Sequence, residues 1–225
     1  MMMTMKIYIA TGNLDKKREM AEILQGHTVV TPKDEGIAFN PEETGTTFYE
    51  NSLIKARALW ELVHCPVIAD DSGLCVDALG GAPGIYSSRY AGPSFMKGTP
   101  DGRKIAQEEQ NRLLISQLND VLAAGIDEEA YRRQGLCAHG PRSAHYTCSM
   151  VLYLGHDRLL VAQETMEGSI VSSAEEQRGG GGFGYDPLFF LPDYGKTVAE
   201  LSDEEKNKIS HRGKAARIIK KLFFC

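Results

Sequence analysis

Long apolar runs are missing from this chain. Stretches such as Met150 to Leu154 fall far short of the ~20 residues needed to cross a bilayer, so no span and no membrane partner is expected. Cysteine is sparse: the five (Cys65, Cys75, Cys137, Cys148 and Cys225) are odd in number and contain no CxxC pair, a poor disulfide framework that fits a reducing compartment. A GxxxxGK[ST] loop is lacking, which excludes a Walker phosphate site. Net positive charge is lacking too. The formal value is −5, so a broad face for polymeric nucleic acid is not expected. Met1 to Ala10 carries one basic residue followed by only four apolar ones, against the roughly 7–15 of a signal-peptide core, and a cytoplasmic location is expected.

What is present is an ordinary globular composition, 42% hydrophobic and 24% charged over 225 residues, enough for one large or two small domains at ~150 residues each. Charge is uneven. Asp203 to Cys225 carries seven Lys/Arg against three Asp/Glu, which is +4, and the rest of the chain holds −9; such a segment is either a solvated helix face or a local anion site.

Lys6 to Ala10 reads as a strand running into a Thr11-Gly12-Asn13 turn, with Asn13 as a helix N-cap and Met20, Ile23 and Leu24 on one helical face before Gly26. Thr47-x-x-Glu50 is a capping box opening a second helix that ends near His64. Pro66 to Ala69 predicts a short strand ending at Asp70-Asp71-Ser72-Gly73, after which Leu74 to Val76 resumes an extended pattern. Thr99-Pro100 predicts the start of a long helix reaching Gly125. Ser143 to Leu154 and Arg158 to Thr165 read as strands around Gly155-His156-Asp157, Gly168 to Ser172 as a further strand, and Ser202-x-x-Glu205 as the capping box of a closing helix. Strand-helix alternation followed by hairpins predicts an α/β fold with a mixed sheet.

Several residues stand out chemically. Lys16 falls in the first turn of its helix, where the macrodipole disfavours a cation by ~0.3–1 kcal/mol, so an anion should compensate; the backbone N–H groups of the Thr11-Gly12-Asn13 turn point the same way and make a phosphate cradle. Glu42-Glu43 and Asp70-Asp71 are hard carboxylates that suit Mg2+, which takes one or two protein oxygens plus substrate phosphates. Neighbouring strand residues face opposite ways, and Asp71 is favoured as the one entering the site. Gly179 to Gly184 matches GxGxxG but leads into Tyr185-Asp186-Pro187 and not a helix, so the dinucleotide reading fails; the run lets backbone approach a planar ligand while Phe183 stacks on it. Lys206 and Ser210-His211-Arg212 supply cations and donors. A buried Arg212 suits a 6-oxo purine edge and would oppose an exocyclic amine. Cys137-x-His139 with His145-x-x-Cys148 can be drawn as a zinc site, but the spacing matches no standard finger.

TGNLDK at Thr11 to Lys16, EETGTTFYENSLIKA at Glu42 to Ala56, IADDSGLCVDALGGAPGIYSSRYAG at Ile68 to Gly92, GGFGYDPLFF at Gly181 to Phe190 and AELSDEEKNKISHRGKA at Ala199 to Ala215 together resemble the inosine/xanthosine triphosphate pyrophosphatase family, also called Ham1-like or RdgB-like. The resemblance runs from about Lys6 to Leu222. It implies a single domain over residues 1–225 with a mixed twisted sheet and flanking helices, an elongated two-lobed subunit with a central substrate cleft, a homodimer, and Mg2+-dependent hydrolysis of ITP, dITP and XTP to the monophosphate and pyrophosphate. By the same resemblance Thr11, Gly12, Asn13, Leu14, Asp15 and Lys16 take the phosphates, with Lys55 as a further contact. Glu42 or Glu43 and Asp71 hold the metal, and Asp71 accepts the proton. Ser72, Phe183, Gly184, Tyr185, Asp186, Lys206, His211 and Arg212 bind the nucleotide. Departures from the family pattern are an apparent insertion between Arg132 and Ser143, the extra Met1 to Thr4 and the four-glycine run. Rival readings are a Maf-like pyrophosphatase for other modified nucleotides, against which the Ser-His-Arg segment speaks, and a nucleotide sensor without catalysis, which would gain little from carboxylates beside an anionic ligand.

Overall fold

A computed structural model describes residues 4–101 and 103–223; Cys225 and the leading Met1, Met2 and Met3 lie outside the described residues. The elements are β1 (Lys6–Ile9), α1 (Leu14–Ile23), β2 (Thr28–Val30), α2 (Phe48–Val63), β3 (Val67–Val76), α3 (Gln107–Ala124), α4 (Glu128–Arg133), β4 (Ser143–Tyr153), β5 (Leu159–Ile170), β6 (Phe189–Leu191), β7 (Lys196–Thr197), α5 (Asp203–Ile209) and α6 (His211–Phe223). The seven strands make one sheet in the order β2-β1-β3-β4-β5-β6-β7. It is mixed, as the sequence predicts: β1 runs parallel to β2 and β3, and β6 pairs antiparallel with β5 and β7. Among the described residues no helix is long and apolar enough to cross a membrane.

The chain forms two compact units, the first from the described residues up to Ser72, Thr147–Glu164 and those from Asn207 onward, the second from Gly73–Tyr146 and Thr165–Lys206. In the first unit, strand alternation sorts the core onto two sheet faces. Ile7, Ile9, Ile68, Cys148, Met150 and Leu152 pack with Met20 and Leu24 at α1 and with Ala215, Ala216 and Ile219 of α6. Tyr8, Ala10, Val67, Ala69, Val151 and Tyr153 pack on the other face with Ala56 and Leu59 of α2. In the second unit, α3 buries Leu114, Ile115 and Leu118, and Leu74, Tyr90 and Phe189 are fully enclosed.

Three local signals at helix starts are realised as read. Asn13 Oδ1 accepts from the Asp15 and Lys16 N–H groups, and Thr47 with Glu50 forms the reciprocal capping box. Ser202 and Glu205 do the same. Four expectations need correction. The two acids do not sit at a turn: β3 continues unbroken through Asp70-Asp71-Ser72-Gly73 to Val76, because α1, α2 and α6 offer those side chains partners. The Thr99-Pro100 helix start fails, since Thr99 Oγ1 closes a local turn onto Asp101 and the Arg103 carbonyl and α3 begins at Gln107. Gly168 to Ser172 is not a separate strand, as β5 runs on to Ile170. The closing helix is two, broken at Ser210 between α5 and α6. The apparent insertion follows directly on α4 and is made of turns, with left-handed backbone at Gly135, Cys137 and Gly140.

Candidate active site

The alternation that sorts the core also separates the two acids of β3. Asp70 continues the face of Ile68, toward α1 and α6, and Asp71 continues the face of Ala69, toward α2. Accordingly Asp70 Oδ2 accepts from Lys16 Nζ at 2.9 Å, Ser72 Oγ at 2.9 Å and Arg212 Nε at 3.2 Å. Arg212 Nη1 donates on to Glu19 at 2.7 Å. The anion that Lys16 requires at the N-terminus of α1 is therefore Asp70. Burial alone would push the Asp70 carboxyl up, but the charges of Lys16, Arg212 and Lys55 outweigh it and hold it far below the usual range. Burial opposes the Arg212 charge too, and Asp70 with Glu19 raises that guanidinium above its ordinary value.

Asp71 has a different setting. Its Oδ2 accepts from Asn51 Nδ2 at 3.1 Å, and its Oδ1 lies 3.5 Å from Lys55 Nζ, which also reaches Glu43 at 3.3 Å. Burial pushes the Asp71 carboxyl up, and Lys55 and Asn51 only partly pull it back. Glu43, not Glu42, stands against Lys55. Among the described residues no group of three or more His, Cys, Asp or Glu side chains is gathered to hold a metal. The set Glu42, Glu43 and Asp71 is thus not assembled as three, and neither is the zinc set Cys137, His139, His145 and Cys148. The pair Glu43 and Asp71, two hard oxygen donors sharing one lysine cation, still fits Mg2+, whose remaining positions go to phosphate oxygens and water.

The turn before α1 is open. Gly12, Asn13, Leu14 and Asp15 are exposed, and Thr11 Oγ1 accepts from the Asn13 N–H at 3.1 Å. His211 and Arg212 begin α6 and are buried. Sequence reasoning missed three members of these clusters. Asn51, polar and buried on the apolar face of α2, carried a readable signal; Glu19, one turn from Lys16 on α1, did as well. Asp70 was passed over because the turn reading favoured its neighbour.

In the second unit the residues around the glycine run meet at Asp186. That carboxylate accepts from Lys206 Nζ at 2.8 Å, the Phe183 N–H at 2.8 Å and Tyr146 Oη at 3.2 Å, the last a partner the sequence did not flag. Burial, then the Asp186 charge, raises the Tyr146 phenol well above its ordinary value and keeps it a neutral donor. Lys206 Nζ lies 4.4 Å from the Phe183 ring centroid, a cation on an aromatic face, and Phe183 remains 40% exposed. Gly182 is required here: its φ is +72°, and a Cβ would lie 2.2 Å from Asp186 Oδ2. Tyr185 donates to the Ser87 carbonyl at 3.2 Å.

Comparison with known proteins gives the same picture over the whole chain. The model of the Ham1 family matches residues 7–222. The dITP/XTP pyrophosphatase of Treponema denticola is 49% identical over 94% of this chain and 94% of that protein, and that of Escherichia coli strain K12 is 41% identical over 95% of each. A HAM1 protein from Coxiella burnetii superimposes with a TM-score of 0.78 at 34% identity, over 97% of this chain and 98% of that one. With motifs, superposition and near-complete coverage in agreement, the chain belongs to the Ham1 family.

Proposed function

We propose that this protein hydrolyses deaminated purine nucleoside triphosphates (ITP, dITP and XTP) to the monophosphate and pyrophosphate, and so removes them from the nucleotide pool. The observation that carries the reading is the division of charge along β3, where one buried carboxylate is saturated by cations and its neighbour is held among few partners beside Lys55. In the first unit, Lys16, Lys55 and the Thr11-Gly12-Asn13 turn with Leu14 and Asp15 would take the phosphates. Their positive charge and N–H groups stabilise the charge that develops as a bond to phosphorus breaks. Glu43 and Asp71 would hold Mg2+, which when bound supplies charge neutralisation and polarises the phosphates. Asp71 would also accept the proton of the water that attacks the α-phosphorus, with Asn51 fixing its carboxylate. Ser72 would position Asp70 or touch the phosphates directly.

In the second unit, Phe183 would stack on the purine while Gly184, Tyr185 and Asp186 shape its surroundings and Lys206 donates to an oxo group. His211 and Arg212, which belong to the first unit, would also bind the nucleotide. The reading takes the chain as a single Ham1-like domain that acts in the cytoplasm as a homodimer.

Incubation with ITP, XTP, ATP and GTP plus Mg2+ tests it. ITP and XTP should release pyrophosphate much faster than ATP and GTP, and Asp71→Asn should abolish release with little change in the urea midpoint. Single phosphate as product, or full activity in the Asp71→Asn variant, would defeat the proposal.

A further inference from the structure

Phe183 follows directly on the glycines Gly179 to Gly182, backbone that loses more freedom on ordering than any other. At Gly180 an added Cβ would meet nothing within 4 Å. What places Phe183 is a side chain beyond the run. Its N–H donates to Asp186 Oδ2 at 2.8 Å, and Lys206 Nζ, which stands on its ring, donates to the same oxygen at 2.8 Å. One carboxylate oxygen thus sets both groups, and the orientation of that carboxylate fixes where ring and cation stand.

The other oxygen, Asp186 Oδ1, accepts from Tyr146 Oη at 3.2 Å. Tyr146 lies on β4 and is buried. Its ring is held independently of that hydrogen bond. The Phe189 ring of β6 packs on it with centroids 4.8 Å apart, and Phe189 in turn sits over Gly168 of β5, where a Cβ would fall 2.4 Å from the Phe189 ring. A donor carried on a clamped ring resists rotation of the carboxylate it binds. Because the phenol stays neutral, it supplies that donor without setting a second negative charge beside Asp186.

We infer that Tyr146 is a positioning residue for the nucleobase: its hydroxyl fixes the Asp186 carboxylate and, through it, the Phe183 ring and the Lys206 ammonium, a role that presupposes the purine reading proposed above. Tyr146→Phe keeps the ring against Phe189 but leaves Asp186 Oδ1 short of a donor in a buried place, which is costly for a carboxylate. The carboxylate then turns, and ring and cation lose their fixed positions. Phe183 and Lys206 are assigned to the base and not to the phosphorus, so the loss falls on binding and spares the chemical step.

The test compares steady-state pyrophosphate release from ITP with Mg2+ in wild type and Tyr146→Phe, with urea midpoints measured alongside. KM for ITP should rise about fivefold or more, the scale of one lost hydrogen bond, while kcat stays within about twofold and the variant unfolds cooperatively. An unchanged KM, or a fall in kcat with KM unchanged, would overturn the assignment. So would a Tyr146→Phe chain that does not fold, since the hydroxyl would then serve the fold and not the site. Absence of pyrophosphate release from ITP by wild type would instead defeat the purine reading, and the role of Tyr146 with it.

Discussion

Asp70 and Asp71 are neighbours in sequence and opposites in environment. One is a buried anion shared by Lys16, Ser72 and Arg212; the other meets an amide and a single lysine. Arg212 has its Nε on Asp70 and its Nη1 on Glu19, so its truncation leaves two carboxylates short of a cation. Removing one partner of a buried pair costs roughly 3–5 kcal/mol, and Arg212→Ala should lose stability on that scale in urea unfolding. An unchanged midpoint with a narrowed preference for ITP over ATP would instead make base reading its main task. His145 gives a pH prediction. Its folded value near 10 lies above the ordinary 6.5, so its charge stabilises the fold fully below pH 6.5, and that contribution fades as pH rises toward 10. The stability difference between wild type and His145→Gln, followed by urea titration, should shrink over that window; a difference constant with pH would refute the coupling to Asp77, whose Oδ1 lies 3.4 Å from His145 Nδ1.

At the scale of elements, the side-chain caps at Asn13, Thr47 and Ser202 were the most legible features, because a cap is a local contract between a few residues, whereas the uncapped start of α3 was misread. Thr47 accepts the Glu50 N–H at 3.1 Å while Glu50 receives the Thr47 N–H, and Thr47→Ala should cost about 1 kcal/mol, read as a lower thermal midpoint. Retained stability would mean that packing of α2 alone sets its start. The failures were non-local. Asp70-Asp71-Ser72-Gly73 looks like a turn in sequence, yet it is a strand because α1, α2 and α6, distant in the chain, supply partners for its acids. The break at Ser210 was likewise hidden. Gly213 lies so near Asn207 that a Cβ would fall 2.0 Å from the Asn207 carbonyl oxygen, a close approach that helical periodicity does not display.

For the whole molecule, one strand carries much of the chemistry: β3 holds both Asp70 and Asp71 toward its middle. The motifs named the family and most of the residues now placed in the two clusters, while the partners that tune them, Glu19, Asn51 and Tyr146, became visible only once the strands and helices were in register. The account turns on water attacking the α-phosphorus beside Asp71. Hydrolysis of ITP in oxygen-18 water with Mg2+, followed by mass spectrometry of both products, reads the position of attack directly. The heavy oxygen should appear in the monophosphate and leave pyrophosphate unlabelled; label in pyrophosphate or in single phosphate would contradict the account.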